Sequence, residues 1–143
     1  MLLSALVSYS YQDGVAFEIT LAAFLVLSIG ALFMLFGRQH EKQIQKREGY
    51  LIVSLGWILM AVSGTIPYLL TGTFSDFASS FFEAMSGYTT TGATVLNDIE
   101  AVPKGVLFWR STTHWIGGMG IIVLAIAILP FLGIGGIQLF TAE

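Results

Sequence analysis

The chain has 143 residues, of which 55% are hydrophobic and 10% charged, and its mean hydropathy is strongly positive. A soluble domain averages about 25% charged residues, so this composition belongs to a membrane protein. The chain has no cysteine, which excludes a disulfide framework or thiolate metal site, and its net charge of −3 leaves topology to the placement of Lys and Arg.

Met1 to Tyr11 is apolar but too short to span a bilayer, and no basic stretch precedes it as in a signal peptide. It reads as a truncated or interfacial helix that ends at Gly14, with Tyr9 and Tyr11 at headgroup level. Residues 15–36 predict a full span of about 33 Å at 1.5 Å per residue. Its one charge, Glu18, falls in the first turn, where an acid favours the helix dipole and snorkels to the interface.

Residues 37–49 (GRQHEKQIQKREG) form the polar run, and Arg38, Lys42, Lys46 and Arg47 are four of the six basic residues. The positive-inside rule makes this loop cytoplasmic. Residues 50–70 then run outward, with Pro67 as a kink or stop near the outer end. An external turn follows at 71–75. Residues 97–104 (NDIEAVPK) are external as well, and 105–132 run inward to an end loosened by Pro130, Gly133, Gly135 and Gly136.

The stretch between these spans, 75–95 (SDFASSFFEAMSGYTTTGATV), is too polar for a simple span and ends in a poor helix former. It predicts a half-helix over 76–86 that enters from outside and returns as extended backbone through 89–94. Irregular backbone is tolerated at membrane depth only where protein buries it or it lines a water-filled path. An entering half-helix points its negative C-terminal end at the membrane centre, which favours a dehydrated cation. Carbonyls of Thr89, Thr90, Thr91, Gly92 and Ala93 can replace an ion's hydration shell. Gly92 suits a turn to positive φ, and the threonines stiffen extended backbone. No phosphate-loop lysine follows Gly92, so TTTGAT is not a nucleotide loop. No second copy of the pattern occurs in the chain, and one re-entrant loop cannot enclose a pore.

The runs AMSGYTTTGATV and PKGVLFWRSTTHWIGGMGIIVLAIAILPFLGIGGIQLF closely resemble the Trk/Ktr/HKT superfamily of potassium transporters, nearest to the bacterial Trk-type membrane subunit. The resemblance runs from about Gln12 to Glu143 and is most specific over 86–140. It implies an all-α membrane protein with a helix–re-entrant pore loop–helix unit of potassium-channel type, preceded by one partial helix (1–14) and one full helix with its basic loop (15–49). Residues 50–143 are then the first pore unit: outer helix 50–70, pore helix 76–86, filter 89–94 and inner helix 105–132. By resemblance Thr90, Thr91, Gly92 and Ala93 form the ion-binding filter, with potassium at Thr90 and Thr91 and Gly92 as the signature glycine. The implied function is potassium uptake across a bacterial inner membrane, with the filter entered from outside.

Implied partners are the lipid bilayer, further pore units in the same chain or an oligomer, a homodimer of full-length chains and a cytosolic nucleotide-binding subunit. Neither an organic cofactor nor a nucleic acid is expected. Three of the family's four pore units have no counterpart here, so the chain is expected to be part of a longer protein. The competing reading is a structural or assembly membrane protein without its own pore. A serine hydrolase built on Ser86 and His114 lacks a G-x-S-x-G elbow and an orienting carboxylate, so no enzymatic activity is expected. Glu83 and Arg110 are expected to pair and brace the pore helix. Gly117, Gly118 and Gly120 read as a close helix contact, Trp109 and Trp115 as packing or interface residues. Asp76, Asp98 and Glu100 place negative charge at the external mouth.

Overall fold

Hydrophobic runs set the framework. The computed structural model describes residues 1–37 and 46–128, and its elements are α1 (Leu2–Tyr11), α2 (Ala16–Gly37), α3 (Lys46–Leu70), α4 (Phe77–Tyr88) and α5 (Lys104–Ile128). Among the described residues there is no strand, so the fold is all-α. Arg38, His40, Lys42, Pro130, Gly133, Gly135 and Gly136 lie outside the described residues, as do the end expected for α5 and most of the basic loop. α3 begins at Lys46, inside the polar run, and α4 continues to Tyr88, two residues past the expected end. Pro67 lies within α3, which goes on to Leu70.

α2 and the Glu48–Leu70 part of α3 are long and apolar enough to cross a membrane. Hydroxyls on these helices are satisfied locally: Thr20 donates to the Ala16 carbonyl (2.7 Å), Ser28 to Phe24 (2.7 Å) and Ser63 to Met60 (2.9 Å). Such back-bonding lets a polar side chain sit in an apolar span without an orphaned donor.

The core lies at one end of the bundle. The start of α2, the end of α3 and the start of α5 meet there, and Ala5, Ile19, Tyr68, Ala84, Val102, Val106 and Trp109 form the buried cluster. α4 is held between α3 and α5, while α1 packs on α2 and α5. The opposite end is apolar and open: Phe33, Phe36, Leu51, Leu55, Ile122 and Val123 are exposed. Apolar surface on this scale marks contact with lipid or protein.

Glu18 in the first turn of α2 is half-buried. Its Oε2 is buried and has no hydrogen-bond partner among the described residues. Ala22, one turn further on the same face of α2, is fully buried, as is the neighbouring Ile19.

Candidate functional site

α4 starts at a side-chain cap. Asp76 is extended (φ −127°, ψ 152°) and its carboxylate accepts the Ser79 N–H at 2.7 Å, satisfying one of the donors that a helix start leaves unpaired. That backbone donor holds the exposed Asp76 carboxyl below the usual carboxylate range. One face of α4, with Ser80, Glu83, Ala84, Ser86, Gly87 and Tyr88, is buried against its neighbours.

The other end of α4 closes in a Schellman motif. The Thr90 N–H donates to the Gly87 carbonyl (2.9 Å) and the Thr91 N–H to the Ser86 carbonyl (3.0 Å). This geometry needs a left-handed residue at the position Thr90 occupies, and Thr90 has φ +56°. Thr90 is therefore not extended, as the β-branch alone suggested: the helix cap overrides the local preference. A left-handed β-branched residue costs on the order of 1–2 kcal/mol. Gly92 is left-handed too, with φ +78°, at a position where a side chain would meet open space. Here glycine is required by backbone angle, not by room.

The chain then turns back along α4 and is pinned at two levels. Ser86 Oγ donates to the Ala93 carbonyl at 2.6 Å. Glu83 Oε2 accepts both the Thr94 hydroxyl and the Val95 N–H, each at 3.0 Å. Its other oxygen, Oε1, lies 2.5 Å from Arg110 Nε on α5, so a carboxylate only 1% exposed meets a guanidinium 19% exposed. The pair and its added hydrogen bonds offset the desolvation of both charges.

Among the described residues no protein donor reaches the carbonyls of Thr90, Thr91 or Gly92, and these residues are exposed. The Ala93 carbonyl differs, because Ser86 engages it. Thr89 and Thr91 link through their hydroxyls at 2.8 Å, and Thr89 also donates to the Met85 carbonyl.

α5 fits this end of α4 through its glycines and small side chains. A side chain at Gly117 would overlap the carbonyl of Tyr88, and one at Gly87 would overlap the Thr113 side chain. Gly64 on α3 makes room for the Tyr88 ring, which lies 2.7 Å from where a Cβ would be. Gly118 is looser, 4.0 Å from Thr90 Cγ2, and Gly120 faces Trp57. Trp109 is buried and donates from Nε1 to the Gly64 carbonyl (3.2 Å), whereas Trp115 is exposed. The Ser86 hydroxyl is directed at Ala93, not at His114. Asp98 accepts the Glu100 N–H at 2.9 Å within an exposed turn.

Two contacts had no warning in sequence. Asp13, which read only as part of a helix stop, bonds Gly105 far along the chain. The Ser86–Ala93 bond appears only once the return segment lies against α4.

Long apolar helices that bracket a short helix with its return pinned upon it, and that leave wide apolar faces open, define a helical membrane protein. A family model described as TrkH, cation transport protein, matches residues 15–143. The chain is 44% identical over its whole length to the Trk system potassium uptake protein TrkH of Vibrio parahaemolyticus, covering 30% of that protein. It is 42% identical to TrkH of Escherichia coli K12, again over its whole length and 30% of the relative, and 38% identical to TrkG of the same strain, covering 94% of this chain and 28% of the relative. The crystal structure of the potassium transporter TrkH from Vibrio parahaemolyticus superposes with a TM-score of 0.87 at 43% identity, covering 94% of this chain and 29% of that one. The chain belongs to the TrkH cation transport family. It spans about 30% of the length of these relatives.

Proposed function

We propose that residues 50–143 supply one pore unit of a potassium uptake transporter, and that Thr90, Thr91 and Gly92 give the ion its carbonyl ligands. The observation that carries this reading is the pinned return segment, with left-handed residues at 90 and 92 and three carbonyls left without protein donors. A potassium ion that sheds water needs oxygens already aimed at it, and a backbone fixed by Glu83 and Ser86 keeps them aimed. The engaged Ala93 carbonyl makes Ala93 the weakest of the four filter candidates. α4 would enter from the outer face as a half-helix, with the loop at 37–49 cytoplasmic, in a bacterial inner membrane.

The exposed 89–95 segment forms one wall only, so further pore units must complete the path. The relatives are about three times as long, which supports units within one chain. A homodimer of such chains and a cytosolic nucleotide-binding partner complete the proposed assembly. Family membership supports a transporter, not an enzyme.

Gly92→Ser in the full-length transporter tests the reading. Any side chain at φ +78° strains the filter backbone, and potassium-over-sodium discrimination is expected to fall. Unchanged flux ratios would overturn the assignment.

A further inference from the structure

We infer that Asp13 is a positioning residue for the filter, acting through the first turn of α5. This rests on the pore-unit reading above. Asp13 lies in the α1–α2 turn between two left-handed residues, Gln12 (φ +53°) and Gly14 (φ +82°), a geometry that turns the chain sharply on both sides of it. Its carboxylate is used from both ends. Oδ1 accepts the Ser8 hydroxyl and lies 3.4 Å from the Val15 N–H. Oδ2 accepts the Gly105 N–H at 2.8 Å, across 92 residues of sequence.

Gly105 is the second residue of α5, where N–H groups have no partner within the helix and the dipole favours an anion. Asp13 therefore caps α5 from another element. The fit around it is close: a Cβ at Gly105 would lie 2.5 Å from Ser8 Cβ, 3.0 Å from Ile19 Cδ1 and 3.1 Å from the Ser4 carbonyl. α1 and α2 thus clamp the start of α5 while Asp13 fixes its height.

What α5 carries next gives the clamp its consequence. Arg110 follows Gly105 by five residues, about 7.5 Å along a rigid helix. It meets Glu83, whose second oxygen holds Thr94 and Val95 of the return segment. The path from Asp13 to the filter is hydrogen bonds, one ion pair and one helix. A change in the seating of α5 moves Arg110, and with it the anchor of the return segment.

The test is the potassium-to-sodium flux ratio of the full-length transporter in proteoliposomes, which does not depend on how much protein folds. Asp13→Asn is expected to lower the ratio roughly three- to tenfold. Ser8→Ala keeps the Cβ against Gly105 but removes the hydroxyl donor to Oδ1 and leaves only the longer Val15 N–H contact there, so a smaller fall in the same direction is expected. It also serves if Asp13→Asn yields no folded protein. An unchanged ratio in either variant, with only yield or thermal stability lowered, would make Asp13 a simple anchor and overturn the inference. A wild-type ratio near one would instead overturn the potassium reading, and this inference with it.

Discussion

The carbonyl oxygen of Tyr88 occupies the space that a side chain at Gly117 would need. Helix α5 touches the last turn of α4 backbone to backbone at this point, just before the chain turns into the filter candidate. Small residues make such an approach possible in a membrane, where packing rather than hydrophobic burial drives helix association.

Gly117→Ala therefore forces α5 away from Tyr88, at a cost of about 1–3 kcal/mol from overpacking. Gly118→Ala is the internal control, because its Cβ meets only Thr90 Cγ2 at 4.0 Å. Thermal melts of the two variants in detergent are expected to separate clearly, with Gly118→Ala close to wild type.

Breaking the ion pair on one side strands a charge. Glu83→Gln leaves Arg110 without its carboxylate and weakens the hold on Thr94 and Val95. A loss of about 3 kcal/mol is expected for either Glu83→Gln or Arg110→Ala. The double variant is expected to lose less than the sum, and a double-mutant cycle on detergent melting measures the difference.

Thr90 separates stability from function. Thr90→Gly removes the penalty for a left-handed β-branched residue, so the melting temperature is expected to rise by an amount worth up to about 1 kcal/mol. If these carbonyls form the proposed filter, ion discrimination is expected to fall in the same variant, because glycine loosens the backbone there. The readouts are a detergent melt and a flux ratio on one preparation.

Acid is expected to weaken the clamp on α5. Burial raises the Asp13 carboxyl, but hydrogen bonds from Ser8, Gly105 and Val15 outweigh it and leave the carboxyl below its ordinary value. A group lowered in the folded state contributes stability above its unfolded pKa and loses it as pH falls through the folded one. Melting temperature is expected to drop from about pH 4 downward, the ordinary range of an aspartate. Asp13→Asn is expected to flatten part of that slope.

The sequence alone determined the elements, since hydropathy and helix signals act over a few turns. The apolar runs ending at Phe36 and Leu70 mark α2 and α3, and Asp76 announces the start of α4. The polarity rule pointed Arg110 towards Glu83, because a charge in an apolar helix has few places to go, and the structure sets them 2.5 Å apart. Tertiary structure decided what depends on pairing across distance. Threonine favours extended backbone, yet the closing of α4 sets Thr90 left-handed. Ser86 takes the Ala93 carbonyl only because the return segment lies against α4. Asp13 meets Gly105 only because α1 and α2 pack on the start of α5. No local periodicity encodes these contacts, for each joins groups whose separation along the chain says nothing of their separation in space.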